Sequence, residues 1–215
     1  MTKFYPDSGV ELQGFTAKFY DKVMNIMTFG GYSIFIKNAI KSVKLNPDDN
    51  ILDFGAGTGR NALLMDKQLS DKGEILGLEI SDLMISQFKK KTENHPNINA
   101  INKRIDQPFQ LEKKYDKIFI SFVFHGFPFE IQKNIIKNAF NNLKNDGEFV
   151  ILDFGHFDTE KTPFYFRIPF KAIECKYAFE YTKRDWEKIL SEYGFKNFEK
   201  KLFLGKYIRL LKAKK

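Results

Sequence analysis

The sequence predicts an α/β protein: a doubly wound, mostly parallel sheet of seven strands that ends in an antiparallel hairpin. Three observations predict it. Apolar strand-like runs alternate with helix-period segments through most of the chain, the pattern of strand-helix-strand units joined by right-handed crossovers. Gly55, Gly57 and Gly59 turn the first apolar run into a helix. The run Lys117-Ile118-Phe119-Ile120-Ser121-Phe122-Val123 is apolar almost throughout, which suits a central parallel strand covered on both faces.

Ahead of the sheet, Leu12, Phe15, Phe19, Val23 and Met27 recur at three- and four-residue intervals and share one face of a helix, which Gly30-Gly31 breaks. A second amphipathic segment runs from Ile34 to Val43. Residues 1–45 are therefore expected as a helical lid on the ligand side, with ordinary core packing as the other reading. Asn46-Pro47-Asp48-Asp49 is a turn that delivers the first strand, Ile51 to Phe54. Arg60 to Leu69 reads as a helix, ended by Asp71-Lys72-Gly73, and Gly73 to Ser81 as the second strand, with Glu79 at its carboxyl end. Ser81 or Asp82 can cap the helix Leu83 to Lys91, whose three closing lysines suit the negative end of the helix dipole. Ile98 to Ile105 is the third strand, followed by Asp106.

Tyr115-Asp116 opens the fourth strand, which carries Phe124-His125-Gly126-Phe127 at its carboxyl end, where an open α/β sheet places its chemistry. Glu130 to Leu143 is a helix, Lys144 to Glu148 a turn, and Phe149 to Leu152 the fifth strand, with Asp153 and His156 just beyond. From Phe157 to Tyr181 aromatic residues are interleaved with basic ones, an insertion expected to cover the substrate or to pack on the sheet edge. Thr182 is expected to cap the helix Lys183 to Glu192, and Phe198 to Leu204 and Lys206 to Leu211 to pair as a hairpin across Gly205. The whole of 1–215 is read as one domain.

The glycine turn is a ligand-binding turn. Missing side chains permit positive φ and let a ligand lie against the backbone, while free N–H groups opening the next helix attract electron-rich atoms. A dinucleotide-binding turn needs Gly-x-Gly-x-x-Gly, and its third place falls on Arg60. A phosphate loop needs a following Gly-Lys-Ser/Thr, which is missing. What stands here is an acid, Asp53, two residues ahead of Gly-x-Gly-x-Gly, with a second acid, Glu79, at the end of the next strand. A carboxylate there can accept both ribose hydroxyls of an adenosyl cofactor.

Asn50 to Arg60 resembles the first motif of the class I S-adenosylmethionine (SAM) methyltransferases, a Rossmann-like group. The Leu143-to-Glu148 turn and the spacing of Trp186, Leu190, Gly194 and Phe195 resemble further marks of the class. Tyr20-Asp21 followed by an apolar helix and Gly30 looks like the opening of the ubiquinone/menaquinone-biosynthesis C-methyltransferases. The resemblance implies that Gly55, Ala56, Gly57 and Gly59 cradle the methionine end of SAM, that Asp53 helps to hold its ammonium group, and that Glu79 takes the ribose. It implies an adenine contact for Asp106, and Ile80 and Phe122 are counted with the cofactor-binding residues. Arg104 to Phe109 only approximates the usual Gly-Asp-Ala…Pro-Phe form.

The activity implied is in-line transfer of the methyl group, in which the protein aligns the nucleophile, excludes water and, where needed, takes a proton. His125 is the candidate base, since imidazole titrates near neutrality and stands at a strand end; packing or donation to substrate is the other reading. Asp153 and His156 are further candidates.

Composition narrows the acceptor. The lone Cys175 excludes an internal disulfide and a cysteine zinc cluster, and no metal is expected. No Asn/Asp-Pro-Pro-Tyr/Phe tetrapeptide or Pro-Cys nucleophile is present, which disfavours methylation of nucleobases. The 24 phenylalanines suit a pocket for a small, apolar or aromatic acceptor. The net charge of +8 keeps two rivals open, an RNA methyltransferase using the basic surface and a non-catalytic SAM-binding domain. Nucleic acid is the lesser expectation, and the aromatic and basic insertion could also rest on a membrane surface. No bilayer-length apolar run and no secretory signal is seen, so a cytoplasmic location is expected; the oligomeric state is open.

Overall fold

The first apolar run forms β1 (Asn50–Phe54), and the alternation of a strand decides where its side chains go. Leu52 and Phe54 enter one layer of core and Ile51 the other. This computed structural model describes Tyr5, Ser8 and residues 31–215, with Phe166, Pro169 and Ile173 described for their backbone. The helix expected on Leu12, Phe15, Phe19, Val23 and Met27 lies outside the described residues.

Two parallel neighbours flank β1: β2 (Glu74–Glu79) and β4 (Tyr115–Ser121), with Leu52 opposite both Leu76 and Ile118. β3 (Ile98–Asn102) pairs parallel with β2, and β5 (Leu143–Phe154) parallel with β4. β7 (Ile208–Lys214) then runs antiparallel to β5, and β6 (Lys196–Phe203) closes the edge against β7. The seven strands stand in the order β3-β2-β1-β4-β5-β7-β6, so the chain winds outward from β1 to β3 and returns to start again at β4. Such a reversal leaves a crevice beyond the carboxyl ends of β1 and β4.

Helices cover both faces. α1 (Gly31–Lys41), α2 (Arg60–Asp66) and α3 (Asp82–Lys91) bury Ile40, Met65 and Phe88 in the layer that also takes Ile51, Phe119 and Val150. α4 (Phe129–Asn142) and α7 (Trp186–Glu192) bury Ile135, Ile136, Trp186 and Leu190 in the layer that takes Leu52, Ile118 and Phe149. Between β5 and α7 the aromatic and basic segment folds as α5 (Phe164–Ile173) and α6 (Lys176–Tyr181).

The boundaries depart from expectation where a polar group competes. Ser81 caps α3 as expected, accepting from the Met84 N–H. Thr182 does not cap α7: its hydroxyl donates back to the Phe179 carbonyl at 3.1 Å, and Asp185 caps the helix by accepting from the Lys188 N–H. A carboxylate three residues ahead of that N–H reaches it directly, which is the stronger arrangement. β3 ends at Asn102 rather than Ile105, because its only neighbour, β2, ends at Glu79, whose carbonyl takes the last ladder bond from the Lys103 N–H at 3.0 Å. β5 starts as early as Leu143, paired with Tyr115 before a register shift brings Lys117 opposite Glu148.

Candidate functional site

Where β1 ends, the Gly55 and Ala56 N–H groups both donate to the Leu78 carbonyl, at 2.8 and 3.1 Å, which fastens the turn to β2. Gly55, Gly57 and Gly59 have φ of 71°, 55° and 80°, in the region that side chains rarely adopt. At Gly55 a Cβ would stand 2.8 Å from Val123 Cγ2, whereas at Gly57 it would meet no atom within 4 Å. The first glycine is thus required by packing, and the second leaves open space beside the backbone.

Two carboxylates stand at the strand ends that carry the turn, Asp53 on β1 and Glu79 on β2. Asp53 is 1% exposed, and its Oδ2 has no hydrogen-bond partner among the described residues. Burial, and then the charge of Glu79, push its pKa up to about 7. Glu79 reaches across the turn: Oε2 accepts from the Gly57 N–H at 3.0 Å, and Oε1 from the Ile80 and Ser81 N–H groups at 2.9 and 3.0 Å. A cavity of about 50 Å³ lies beside Glu79, with Gly55, Ile80, Asp106, Val123 and Phe127 also in its wall. Tyr5 also lines it, and its ring meets Phe127 edge-on at 5.4 Å.

Asp106, expected to face an adenine, is 6% exposed and engaged at both oxygens. Arg104 donates to Oδ1 at 3.0 Å and to Oδ2 at 2.5 Å, and the Tyr5 hydroxyl donates to Oδ2 at 2.6 Å. Burial opposes its ionisation, but the bonds from Arg104 and Tyr5 hold its carboxyl below the usual range. Ala56 is buried at 7% under the turn, and Gly77 of β2 passes so close that a Cβ there would stand 2.7 Å from the Ala56 Cβ. Phe122 follows β4 with φ of 53°, a conformation that costs a bulky residue about 1–3 kcal/mol. That bend lodges its ring between Phe35 of α1 and Phe154 of β5, each 6.2 Å away.

Three residues on, His125 is the centre of a second polar cluster. Its backbone N–H donates to Asp153 Oδ2 at 3.1 Å and its Nδ1 meets Asp153 Oδ1 at 2.6 Å. Its Nε2 stands 3.2 Å from Glu174 Oε2. Burial on its own would lower the pKa, but Asp153 and then Glu174 push it up to about 10. The two carboxylates favour the doubly protonated ring, which donates at both nitrogens and would have to lose a proton before it could act as a base. His156 stands apart: it is exposed, with Nδ1 3.2 Å from the Arg184 carbonyl.

The expected residues thus fall into two groups. Asp53, Gly55, Ala56, Gly57, Gly59, Glu79 and Ile80 meet at the ends of β1 and β2, and His125 joins Asp153 at the ends of β4 and β5. Sequence reasoning missed Tyr5, Arg104 and Glu174. Glu174 did leave a signal, as the single acid between Glu160 and Glu180 in a run of aromatic and basic residues. Lys91, read as one of three ordinary helix-end lysines, donates to the Thr58 hydroxyl of the turn at 2.8 Å.

A family profile described as a methyltransferase domain matches residues 51–147, from β1 to the turn before the paired part of β5. The ubiquinone/menaquinone biosynthesis C-methyltransferase of Wigglesworthia glossinidia brevipalpis is 32% identical over 63% of this chain and 54% of its own length. This alignment spans about half of that relative. The demethylmenaquinone methyltransferase of Staphylococcus carnosus is 27% identical over 86% of this chain and 84% of its own. Among solved structures, a SAM-dependent methyltransferase from Aquifex aeolicus superposes with a TM-score of 0.63 at 18% identity, covering 83% of this chain and 88% of that one, and so shares the fold. Residues 51–147 thus match a methyltransferase domain, and the chain is similar in sequence to the ubiquinone/menaquinone-biosynthesis methyltransferases and shares the fold of class I SAM-dependent methyltransferases.

Proposed function

We propose that the chain methylates a small, apolar, aromatic acceptor held between the carboxyl ends of β4 and β5 and the segment 157–181. The observation that carries the cofactor half is the unpartnered Asp53 Oδ2, buried beside a turn whose Gly57 leaves its flank open. A buried carboxylate oxygen without a donor costs about 1–3 kcal/mol, and the ammonium of a bound amino acid removes that cost. Asp53 therefore holds the methionine end of SAM, Gly55, Ala56, Gly57 and Gly59 let it lie on the backbone, and Glu79 with Ile80 takes the ribose side. Asp106 turns to the adenine once Tyr5 gives way, and Phe122 closes the side towards β5. Residues 1–45 act as the lid; Arg60 of α2 holds the described part, donating to the Ser33 hydroxyl at 2.5 Å and standing 4.9 Å over the Tyr32 ring.

When bound, SAM supplies a methyl group already activated by its sulfonium, so alignment and dryness are the protein's main tasks. The Phe122, Phe154 and Phe170 rings keep water from the acceptor side, and His125 is the polar group that meets the acceptor. The two curated relatives, named for ubiquinone/menaquinone biosynthesis and for demethylmenaquinone, support an aromatic ring of quinone type as acceptor. On α5, Phe164, Tyr165 and Ile168 are 68%, 69% and 63% exposed beside Arg167 and Lys171, which supports a resting contact with a lipid surface where such acceptors dissolve.

Labelled SAM incubated with the protein and fractionated cell extract tests this reading. Label is expected in the lipid or small-molecule fraction. Label in RNA would overturn the acceptor class, and cofactor binding with no label transferred would overturn turnover itself.

A further inference from the structure

α4 carries asparagine at 134, 138, 141 and 142, a residue that helix interiors disfavour, yet Asn138 is 2% exposed and Asn142 fully buried. Asn134, Asn138 and Asn142 recur every fourth residue and so share one face of the helix. That face meets residues 105–111, which follow β3 without joining a strand or a helix, so their backbone groups need partners elsewhere. The asparagines supply them. Asn138 Nδ2 donates to the Ile105 and Gln107 carbonyls, both at 2.8 Å, and its Oδ1 accepts from the Phe109 N–H at 3.1 Å. Asn134 donates to the Asp106 carbonyl between them at 3.4 Å. Asn142 continues the ladder, accepting from the Leu111 N–H at 2.8 Å and donating to the Phe109 carbonyl at 3.3 Å.

Three successive carbonyls, of residues 105, 106 and 107, are thus tied to α4, and the Lys103 N–H just ahead of them is tied to the end of β2. Asp106 stands between these anchors, in the wall of the cavity that Glu79 and Ile80 also line. Its carboxylate is engaged by Arg104 and Tyr5, so when Tyr5 gives way the side chain turns on a backbone that stays in place. An amide suits this task better than a charged group: Asn138 uses two donors and an acceptor here and adds no charge beside Asp106. Resting on the adenine contact proposed above for Asp106, we propose that Asn138, seconded by Asn134, is a positioning residue for cofactor selection. It holds the backbone on both sides of Asp106 so that the carboxylate accepts from the amino group of the adenine, and a purine without that group is bound less well. Asn138 acts through Asp106 rather than on the cofactor itself. Asn142 ties Phe109 and Leu111, which are not in the cavity wall, and so bears on stability alone.

The test is calorimetry on the full chain with two probes: S-adenosylhomocysteine, and its analogue with hydrogen in place of the adenine amino group. The unaltered chain should bind the amino form about tenfold more tightly, since the analogue leaves the Asp106 carboxylate without that donor. Asn138→Asp keeps the size of the side chain and the acceptor for the Phe109 N–H but removes both donors, and is expected to cut that ratio several-fold. Asn134→Ala, at a half-buried position, should cut it less. Asn142→Asp makes the same chemical change one turn away and should lower the unfolding midpoint while leaving the ratio as it is. A ratio unchanged in Asn138→Asp, or one that falls equally in Asn142→Asp, makes Asn138 a structural residue only and overturns the proposal. Should Asn138→Asp not fold, Asn134→Ala decides, and an unchanged ratio there overturns it as well. If the unaltered chain binds both probes equally, the adenine contact of Asp106 fails and the proposal with it. If neither probe gives heat with the unaltered chain, the underlying SAM reading fails instead.

Discussion

The two halves of the crevice are built in different ways. At the ends of β1 and β2 the site is made mostly of backbone: three glycines with positive φ, two N–H groups on the Leu78 carbonyl, and three N–H groups on Glu79. At the ends of β4 and β5 it is made of side chains from distant parts of the chain, His125, Asp153, Glu174, Tyr181 and Arg209. The first half is poised for one ligand by geometry that is local in sequence. The second depends on how α5 and α6 sit, and so can be retuned by changes in that segment alone.

The difference can be broken at either end. Trp186→Ala should have the largest effect: the ring is 1% exposed, 4.6 Å from Tyr181 and 4.9 Å from Phe124, and its loss should cost about 3–5 kcal/mol in denaturant unfolding. SAM binding should persist in the folded fraction, because none of these rings touches the glycine turn. Glu79→Ala acts on the other half. We expect SAM affinity to fall at least tenfold, about 1.4 kcal/mol, with the fold retained, and unchanged affinity would remove Glu79 from the site.

Two glycine substitutions sharpen the contrast within the turn. Gly57→Ala places a methyl group in open space and should cost the fold about 1–2 kcal/mol from its φ alone while weakening SAM binding. Gly55→Ala should destabilise more, since Val123 must shift, and comparable unfolding midpoints for the two would contradict this packing.

The pH dependence separates the halves by window. Both raised groups bind a proton more tightly in the folded state, so each lends stability that is lost as pH rises. For Asp53 the loss runs from its ordinary 3.8 through about 7, and for His125 from 6.5 through about 10. Asp53→Asn should flatten unfolding midpoints in the lower window and His125→Asn in the upper, and the reverse assignment would contradict both sites. The smallest effect is expected on the outer face of α5, where Phe164→Ser should change stability by less than about 0.5 kcal/mol.

This contrast also explains what could be read from the sequence. The order of strands and helices, the glycine turn and Glu79 were legible because strand alternation and local turn chemistry carry them within a few residues. His125 and Asp153 were legible as strand-end residues, yet their pairing was not, because it depends on the parallel register that sets β5 beside β4. Glu174 was hidden further, since a lone acid in a basic aromatic segment reads as solvated until α5 folds it against His125. The cap of α7 was misplaced by three residues because Thr182 and Asp185 are both good caps, and the hydroxyl of Thr182 is taken by Phe179.

The cofactor half of the proposed site depends on the Asp53 carboxylate receiving the ammonium of SAM. Calorimetry of SAM binding between pH 5.5 and pH 7.5, on the unaltered chain and on Asp53→Asn, measures this most directly. Affinity should climb as pH approaches and passes about 7, where Asp53 ionises, and should be weak and flat in the variant. Binding that is independent of pH and equal in the two proteins, or no binding at all, would contradict it.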